Sequence, residues 1–198
     1  MMDGLADFDD AVLGGGLSAE TEAALKEAGQ LRGVEPALAM AALMRARSLA
    51  PDHPAVLIAF YRHHFYGHRL AAARDIARRA LTVGALALDL PTVWRDVPDR
   101  PLPEAGSGAR TRFYLFVLKG YAYLSLRLDD QNEARDALAK LRELDPEDRV
   151  GGALLEAVRV RALVGDDPDA PDAADAPAFG AAAWARASGT GHRPGASA

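Results

Sequence analysis

Residues 112–148, RFYLFVLKGYAYLSLRLDDQNEARDALAKLRELDPED, decide the fold of this chain. Residues 113–128 are almost continuously apolar and aromatic, with leucine and alanine recurring at helical spacing. The acids Asp129 and Asp130 follow, and short polar acids suit a turn or the start of a helix. The first half of the stretch therefore predicts one apolar helix that ends in a tight turn.

The second half predicts another helix over residues 131–144. Ala134, Leu138 and Leu141 form its apolar stripe, and charged residues occupy the opposite side. The helix is expected to end at Asp145, because the residue before a proline is pushed out of the helical region. Neither helix can bury its apolar side alone, so we expect the two to pack on each other.

The same apolar pattern recurs earlier in the chain. Its three occurrences are Ala39, Leu43, Ala46 and Pro51; Ala73, Ala77 and Ala80; and Ala134, Leu138, Leu141 and Pro146. The first two are separated by 34 residues, which is the tetratricopeptide period, and the pattern resembles the second helix of a tetratricopeptide repeat. The resemblance implies an all-α, TPR-like helical-repeat solenoid of about three helix pairs plus a C-terminal capping helix.

The repeats divide the chain into three parts. Residues 1–17 are expected to be an N-terminal extension, residues 18–164 the helical domain, and residues 165–198 a disordered tail rich in Asp, Ala, Pro and Gly. The third repeat comes late, so residues 83–110 form a proline-rich insertion, which Trp94 is expected to attach to the core. The capping helix is predicted over residues 148–164, with Arg159 and Arg161 on its polar outer side.

Composition excludes several functions. The 198 residues include no cysteine, which removes disulfides and thiolate chemistry, and no apolar run approaches the length of a membrane helix. A net charge of −5 argues against nucleic-acid binding, and the acidic N-terminus lacks the basic region of a secretion signal, so we expect a cytoplasmic protein. We see no nucleophile beside a base and no phosphate-binding loop, so neither an enzyme nor a cofactor is expected.

In tetratricopeptide proteins the first helix of each pair lines a concave groove. The resemblance therefore implies groove residues Ile58, Arg62, Phe65, Tyr66, Phe116, Lys119, Tyr123, Leu126 and Arg127, preceded in the first unit by Ala24, Ala28 and Arg32. An aromatic and cationic groove suits a protein or peptide segment of acidic character. The alternative is that the aromatic residues belong to the core and the cations are merely solvated.

Two other functions remain open. A small anionic ligand or a metal ion could bind near Arg62, His64, Tyr66 and Lys119, since His64 and His68 have the helical spacing that lets two imidazoles share a metal. No acid or cysteine completes such a site, so no metal is expected. The other possibility is a solenoid that associates only with itself.

Three segments also resemble a group of small repeat proteins associated with nitrogen-fixation gene clusters of proteobacteria. They are FYRHHFYGHRL, LPTVWRDV and RFYLFVLKGYAYLSLRL. The resemblance implies that this protein-interaction module acts in nitrogen fixation, as an adaptor, assembly factor or chaperone-like accessory.

Overall fold

Helices make up most of the computed structural model, which describes residues 16–102 and 108–164. Seven α-helices and one short 3₁₀ helix, Trp94–Asp96, lie within these residues, and no strand does. The α-helices are α1 Ala19–Leu31, α2 Pro36–Leu49, α3 Pro54–Tyr66, α4 Leu70–Ala87, α5 Gly108–Arg127, α6 Gln131–Leu144 and α7 Gly152–Val164. The predicted all-α fold is confirmed for the described part of the chain.

Local sequence sets several helix ends. The Ser18 hydroxyl accepts a hydrogen bond from the Thr21 amide at 3.2 Å and caps α1. Prolines open α2 and α3, where the missing amide hydrogen costs nothing. The Asp130 carboxylate accepts from the Glu133 amide at 3.4 Å and caps α6, which ends before Pro146 as predicted.

Helices that are neighbours in sequence pack as pairs. Connections of three or four residues join α1 to α2, α3 to α4, and α5 to α6, so each pair is antiparallel. Two of the connections are alike: His68 and Asp129 both have positive φ, at 56° and 59°. The Arg69 amide donates to the His64 carbonyl, and the Asp130 amide donates to the Ser125 carbonyl, each at 2.9 Å. These turns are 61 residues apart, the same spacing as Ala73 and Ala134.

The core has two main clusters, one built by α1, α2 and α3 and the other by α4 to α7 with the insertion. Leu57, Ala80 and Phe113 join them. All nine apolar positions of the recurring pattern are at most 5% exposed. They are Ala39, Leu43, Ala46, Ala73, Ala77, Ala80, Ala134, Leu138 and Leu141. The pattern therefore marks the buried stripe of the second helix in each pair.

The insertion is shorter than the sequence predicts, and its described part is packed. Its first residues continue α4 to Ala87, and α5 begins at Gly108, so both ends are helical. Trp94, Val97 and Leu102 are buried in the larger core cluster, as expected for Trp94. The Leu102 amide donates to the Leu144 carbonyl at 3.1 Å, which attaches the insertion to the end of α6.

The last helix departs from the prediction at its start and on its surface. Asp148 has φ 53°, so the chain turns there and α7 begins only at Gly152. Arg159 is 9% exposed, and its Nε and Nη2 groups donate to the two oxygens of the Glu156 carboxylate at 2.7 Å each. The exposed side of α7 carries Leu154 and Val160 together with Arg161, so the predicted outer position agrees with the structure for Arg161 but not for Arg159.

Three predictions fall partly or wholly outside the described residues. The N-terminal extension is described only at Gly16 and Leu17, the proline-rich insertion is not described at residues 103–107, and the acidic tail, residues 165–198, is not described. Within the described residues, no helix is both long and apolar enough to cross a membrane.

Candidate partner-binding surface

Aromatic and cationic side chains meet where α1, α3 and α5 end. The Arg32 guanidinium carbon lies 4.5 Å from the centre of the Tyr66 ring, and Tyr66 is 42% exposed. Phe65 lies 6.0 Å from Tyr123, measured between ring centres, and the Arg127 guanidinium donates to the Tyr123 hydroxyl at 2.9 Å. We call these five residues the aromatic–cationic row. Cations at the carboxyl ends of helices are stabilised by the helix dipoles.

Arg62 sits one helical turn before Tyr66 and is partly buried. No carboxylate of the described residues lies within ion-pair distance of its guanidinium. Burial lowers the pKa of Arg62, the nearby Tyr66 raises it, and the positive charge of Arg32 lowers it further. A guanidinium that has lost part of its hydration and has no carboxylate partner gains more interaction energy from a bound anion than a fully hydrated guanidinium does.

Other arginines between residues 43 and 80 form ion pairs with acids of this chain. Arg74 pairs with Asp130 at 3.0 Å, Arg78 with Asp75 at 2.7 Å, and Arg79 with Asp52 at 2.8 Å. The arginines of these three pairs lie along α4. Within the described residues, Arg32 and Arg62, at the ends of α1 and α3, have no such ion pair, and they lie close enough for the charge of Arg32 to lower the pKa of Arg62.

A groove of about 670 Å³ runs between α1 and α3. Small residues form much of its wall, including Ala23 and Gly29 from α1 and Ala59 from α3. Arg32, Arg62 and His63 stand at one end, where both helices finish. The volume lies within the usual range of binding pockets. We call this feature the α1–α3 groove.

The space between α3 and α5 is much smaller than the groove that the sequence predicts there. A cavity of about 50 Å³ lies among Ile58, Arg62, Ile76 and Phe116. This space is enough for a few water molecules at most and is far below the volume of a ligand pocket. The open part of the surface is therefore displaced towards α1.

Phe116 and Lys119 do not belong to an open groove. Phe116 is only 6% exposed and lies in the larger core cluster. The Lys119 ammonium donates to the Val150 carbonyl at 2.6 Å, and burial lowers its pKa. Lys119 therefore links α5 to the turn before α7, and its role in partner binding stays a prediction.

The remaining predicted residues divide between core and surface. Ile58, Phe65, Tyr123 and Leu126 are partly buried and pack against the core clusters, while Tyr66 and Arg127 are exposed. Their role in binding stays a prediction.

On α1, two of the three implied groove residues are buried in the core. Ala24 and Ala28 are each 4% exposed and belong to the core, although Ala28 also borders the groove. The open side carries Ala23 and Gly29. The helical spacing of small residues was the sequence signal for the groove side of α1, but an alanine-rich helix has several sides with that spacing.

The histidines do not form the predicted helical pair. α3 ends at Tyr66, and His68 lies in the following turn with positive φ, so the spacing of His64 and His68 is not helical. His63 is 5% exposed, and neither its Nδ1 atom nor that of His64 has a hydrogen-bond partner. Burial lowers the pKa of both histidines, and Arg69 lowers it further. Among the described residues, no three potential ligands are grouped to hold a metal ion.

Together these features define an all-helical protein of packed helix pairs, with an aromatic and cationic surface at the ends of three helices. The chain is similar to a protein of Azotobacter chroococcum mcd 1 described as an "uncharacterized 19.8 kDa protein in nifW 5′ region". The two are 42% identical over 116 residues, which span 57% of this chain and 64% of that protein. No family model matches the chain, and no solved structure does.

Proposed function

We propose that this chain is a protein–protein interaction module whose surface at α1, α3 and α5 binds an acidic segment of a partner. The proposal includes a TPR-like arrangement, in which the first helices of successive pairs share one concave side. The contacts of α1 with α3 and of α5 with α7 support that arrangement. The repeated turns at His68 and Asp129 support it as well.

One observation carries the proposal: Arg62 is partly buried, has no carboxylate within ion-pair distance among the described residues, and stands between an open groove and the aromatic–cationic row. A carboxylate bound there would gain charge-assisted hydrogen bonds. Exposed Tyr66 beside it offers an amphipathic contact of the kind enriched at interfaces. These groups recognise an acidic peptide segment with apolar neighbours.

The biological setting is proposed from the relative. Its printed name places it in the nifW 5′ region, so we propose that this chain also serves nitrogen fixation, as an adaptor, assembly factor or chaperone-like accessory in the cytoplasm. Small-ligand binding at the predicted site near Arg62 and Lys119 is less well supported, because the cavity between α3 and α5 is only about 50 Å³ and the Lys119 ammonium donates to the Val150 carbonyl.

Selection from a random peptide library displayed on phage tests the proposal. We expect peptides selected on the full chain to be enriched in Asp and Glu beside apolar residues. Arg62→Gln combined with Arg127→Gln should weaken their binding, whereas Arg142→Gln, on exposed α6 surface, should not. Selected peptides without acidic bias, or binding indifferent to the double variant, would show that the proposed function is wrong.

A further inference from the structure

The α1–α3 groove is a cleft between two helix pairs. α1 packs along α2 but contacts α3 at only a few positions, and the residues that line the groove extend from Leu17 to Arg32. The groove is therefore as long as α1, whose 13 residues span about 20 Å. We propose that the acidic partner segment binds in this groove as an amphipathic helix that runs antiparallel to α1 and α3. The inference rests on the proposed function, because it names the conformation and direction of the same segment.

The walls of the groove favour a helix over an extended segment. They are formed by α1 and α3, whose interior backbone amides and carbonyls are hydrogen-bonded within each helix. An extended segment would find few backbone partners there, and burying its own unbonded amides would cost free energy. A helix satisfies its backbone internally and needs only side-chain contacts with the walls.

Small residues on both walls leave room for the apolar side chains of such a helix. Ala19 and Ala23 lie one turn apart on α1, and Ala55 and Ala59 lie one turn apart on α3. Ile58 also lines the groove and offers an apolar contact. Bulky apolar residues three or four positions apart on a partner helix fit a groove of this kind.

Charge at one end of the groove sets the direction of the partner helix. Arg32, Arg62 and His63 stand where α1 and α3 finish, whereas Glu22 stands in the first turn of α1. The acids of the partner therefore lie at the end of its helix that meets the arginines. Acids stabilise a helix in its first turn and destabilise it in its last turn, so that end is the amino terminus of the partner helix.

A buried histidine at the same end is a separate sign of a ligand. His63 lines the groove, is 5% exposed, and its Nδ1 atom has no hydrogen-bond partner among the described residues. Buried polar atoms in folded proteins are normally satisfied, so an unsatisfied one indicates a missing partner. A carboxylate in the first turn of the partner helix can accept a hydrogen bond from the Nδ1–H group of His63 and from Arg62.

Filling the groove tests the placement. In the full chain, Ala23→Leu adds a bulky side chain to an exposed position of the groove wall, and Ala41→Leu, on the exposed surface of α2, is the matched control. Ala23→Leu should weaken binding of the tightest phage-selected acidic peptide by about tenfold, because the apolar side chains of the peptide lose their space. Ala41→Leu should leave the affinity unchanged. Equal affinities of the two variants, or tighter binding to Ala23→Leu, would overturn the inference.

The bound peptide reports its conformation directly. The Cα chemical shifts of the isotope-labelled peptide in complex with the full chain should be those of a helix over about two turns or more. Shifts of an extended chain would overturn the inference.

The direction of the peptide is tested by cross-linking, since the chain has no cysteine of its own. A cysteine placed before the acids of the peptide should form a disulfide about tenfold faster with Gly33→Cys, next to Arg32, than with Ala19→Cys at the start of α1. A β-carbon at Gly33 meets nothing within 4 Å, and Ala19 is exposed, so both positions are accessible. Equal rates, or the reverse preference, would overturn the antiparallel direction.

The same variants separate this inference from the proposed function. If Arg62→Gln with Arg127→Gln weakens peptide binding and Ala23→Leu does not, the helix in the groove is wrong and the proposed function stands. If no acidic peptide is selected, or if neither change weakens binding, both are wrong. If the unaltered chain is a dimer that Ala23→Leu dissociates in sedimentation, the groove holds a second copy of the chain and the inference is wrong.

Discussion

At the scale of single residues, cations that look alike in the sequence have different roles. Lys119 and Arg127 both lie on α5, but the Lys119 ammonium is held by the Val150 carbonyl at 2.6 Å while Arg127 is exposed. Arg159 on α7 pairs with Glu156, and Arg62 on α3 has no such pair among the described residues. A sequence pattern places each of these cations on a helix side, but only the fold shows which carbonyl or carboxylate lies opposite.

Lys119→Met should lower stability without acting through the partner surface. The substitution removes a charge-assisted hydrogen bond between α5 and the turn before α7, so we expect the free energy of unfolding to fall by about 1.5–3 kcal/mol. Urea unfolding measures this change. Arg127→Met is the matched control and should shift stability by no more than ~0.5 kcal/mol. Equal effects of the two substitutions would contradict the structural role of Lys119.

Acid should destabilise the fold through His63 and His64. Burial, followed by the charge of Arg69, lowers the pKa of both below the ordinary 6.5. As pH falls below 6.5 the unfolded state therefore takes up protons before the folded state does, so stability is retained above 6.5 and lost below it. Each such proton contributes a slope of at most about 1.4 kcal/mol per pH unit. His63→Gln with His64→Gln should flatten this dependence in urea unfolding between about pH 7.5 and 5.5. An unchanged slope would contradict it.

Two helical glycines provide a direct comparison of packing. A β-carbon at Gly84 on α4 would lie 3.2 Å from Phe113 and Tyr114, whereas one at Gly29 on α1 meets nothing within 4 Å. Gly84→Leu should therefore lower the free energy of unfolding by about 1–3 kcal/mol or more. Gly29→Ala should raise it by roughly 0.5–1 kcal/mol through helix propensity. Thermal unfolding of both variants checks the two signs, and destabilisation by Gly29→Ala would contradict the open space at that position.

At the scale of elements, the sequence predicted helix ends best where a single residue sets the backbone conformation. Pro36, Pro54 and Pro146 gave helix ends that the structure confirms, because proline restricts its own backbone and that of its neighbour. The sequence did not predict features that depend on contacts with residues distant in the chain. α4 continues past Gly84, where Phe113 and Tyr114 of α5 lie close to it, and the Leu102 amide of the insertion donates to the Leu144 carbonyl of α6.

The insertion should loosen when its anchor on α6 is removed. The buried Lys140 ammonium donates to the Val97 carbonyl at 2.7 Å and pairs with Asp99. Lys140→Ala should therefore speed hydrogen exchange at residues 93–102 while the amides of α3 remain protected. Arg135→Ala, on the exposed side of the same helix, is the control and should leave exchange unchanged. Uniform exchange across α3 and the insertion would contradict a local anchor.

At the scale of the whole molecule, two core clusters meet at α3 and α5, and the candidate surface lies where they join. The sequence placed Arg62 and the five residues of the aromatic–cationic row on one surface, whose role in binding stays a prediction, but it named few of the residues that line the α1–α3 groove. It could not predict that the open groove lies between α1 and α3, because groove width depends on how pairs of helices stack. The repeat pattern fixes only which residues are buried.

The affinity of a phage-selected acidic peptide for the full chain tests the central claim most directly. Fluorescence anisotropy should show that Arg62→Gln with Arg127→Gln weakens binding by about tenfold or more, equivalent to roughly 1.4 kcal/mol, and that salt weakens binding to the unaltered chain. Arg142→Gln should leave the affinity unchanged. Equal affinity of the double variant and the unaltered chain would contradict the claim that this surface binds an acidic partner.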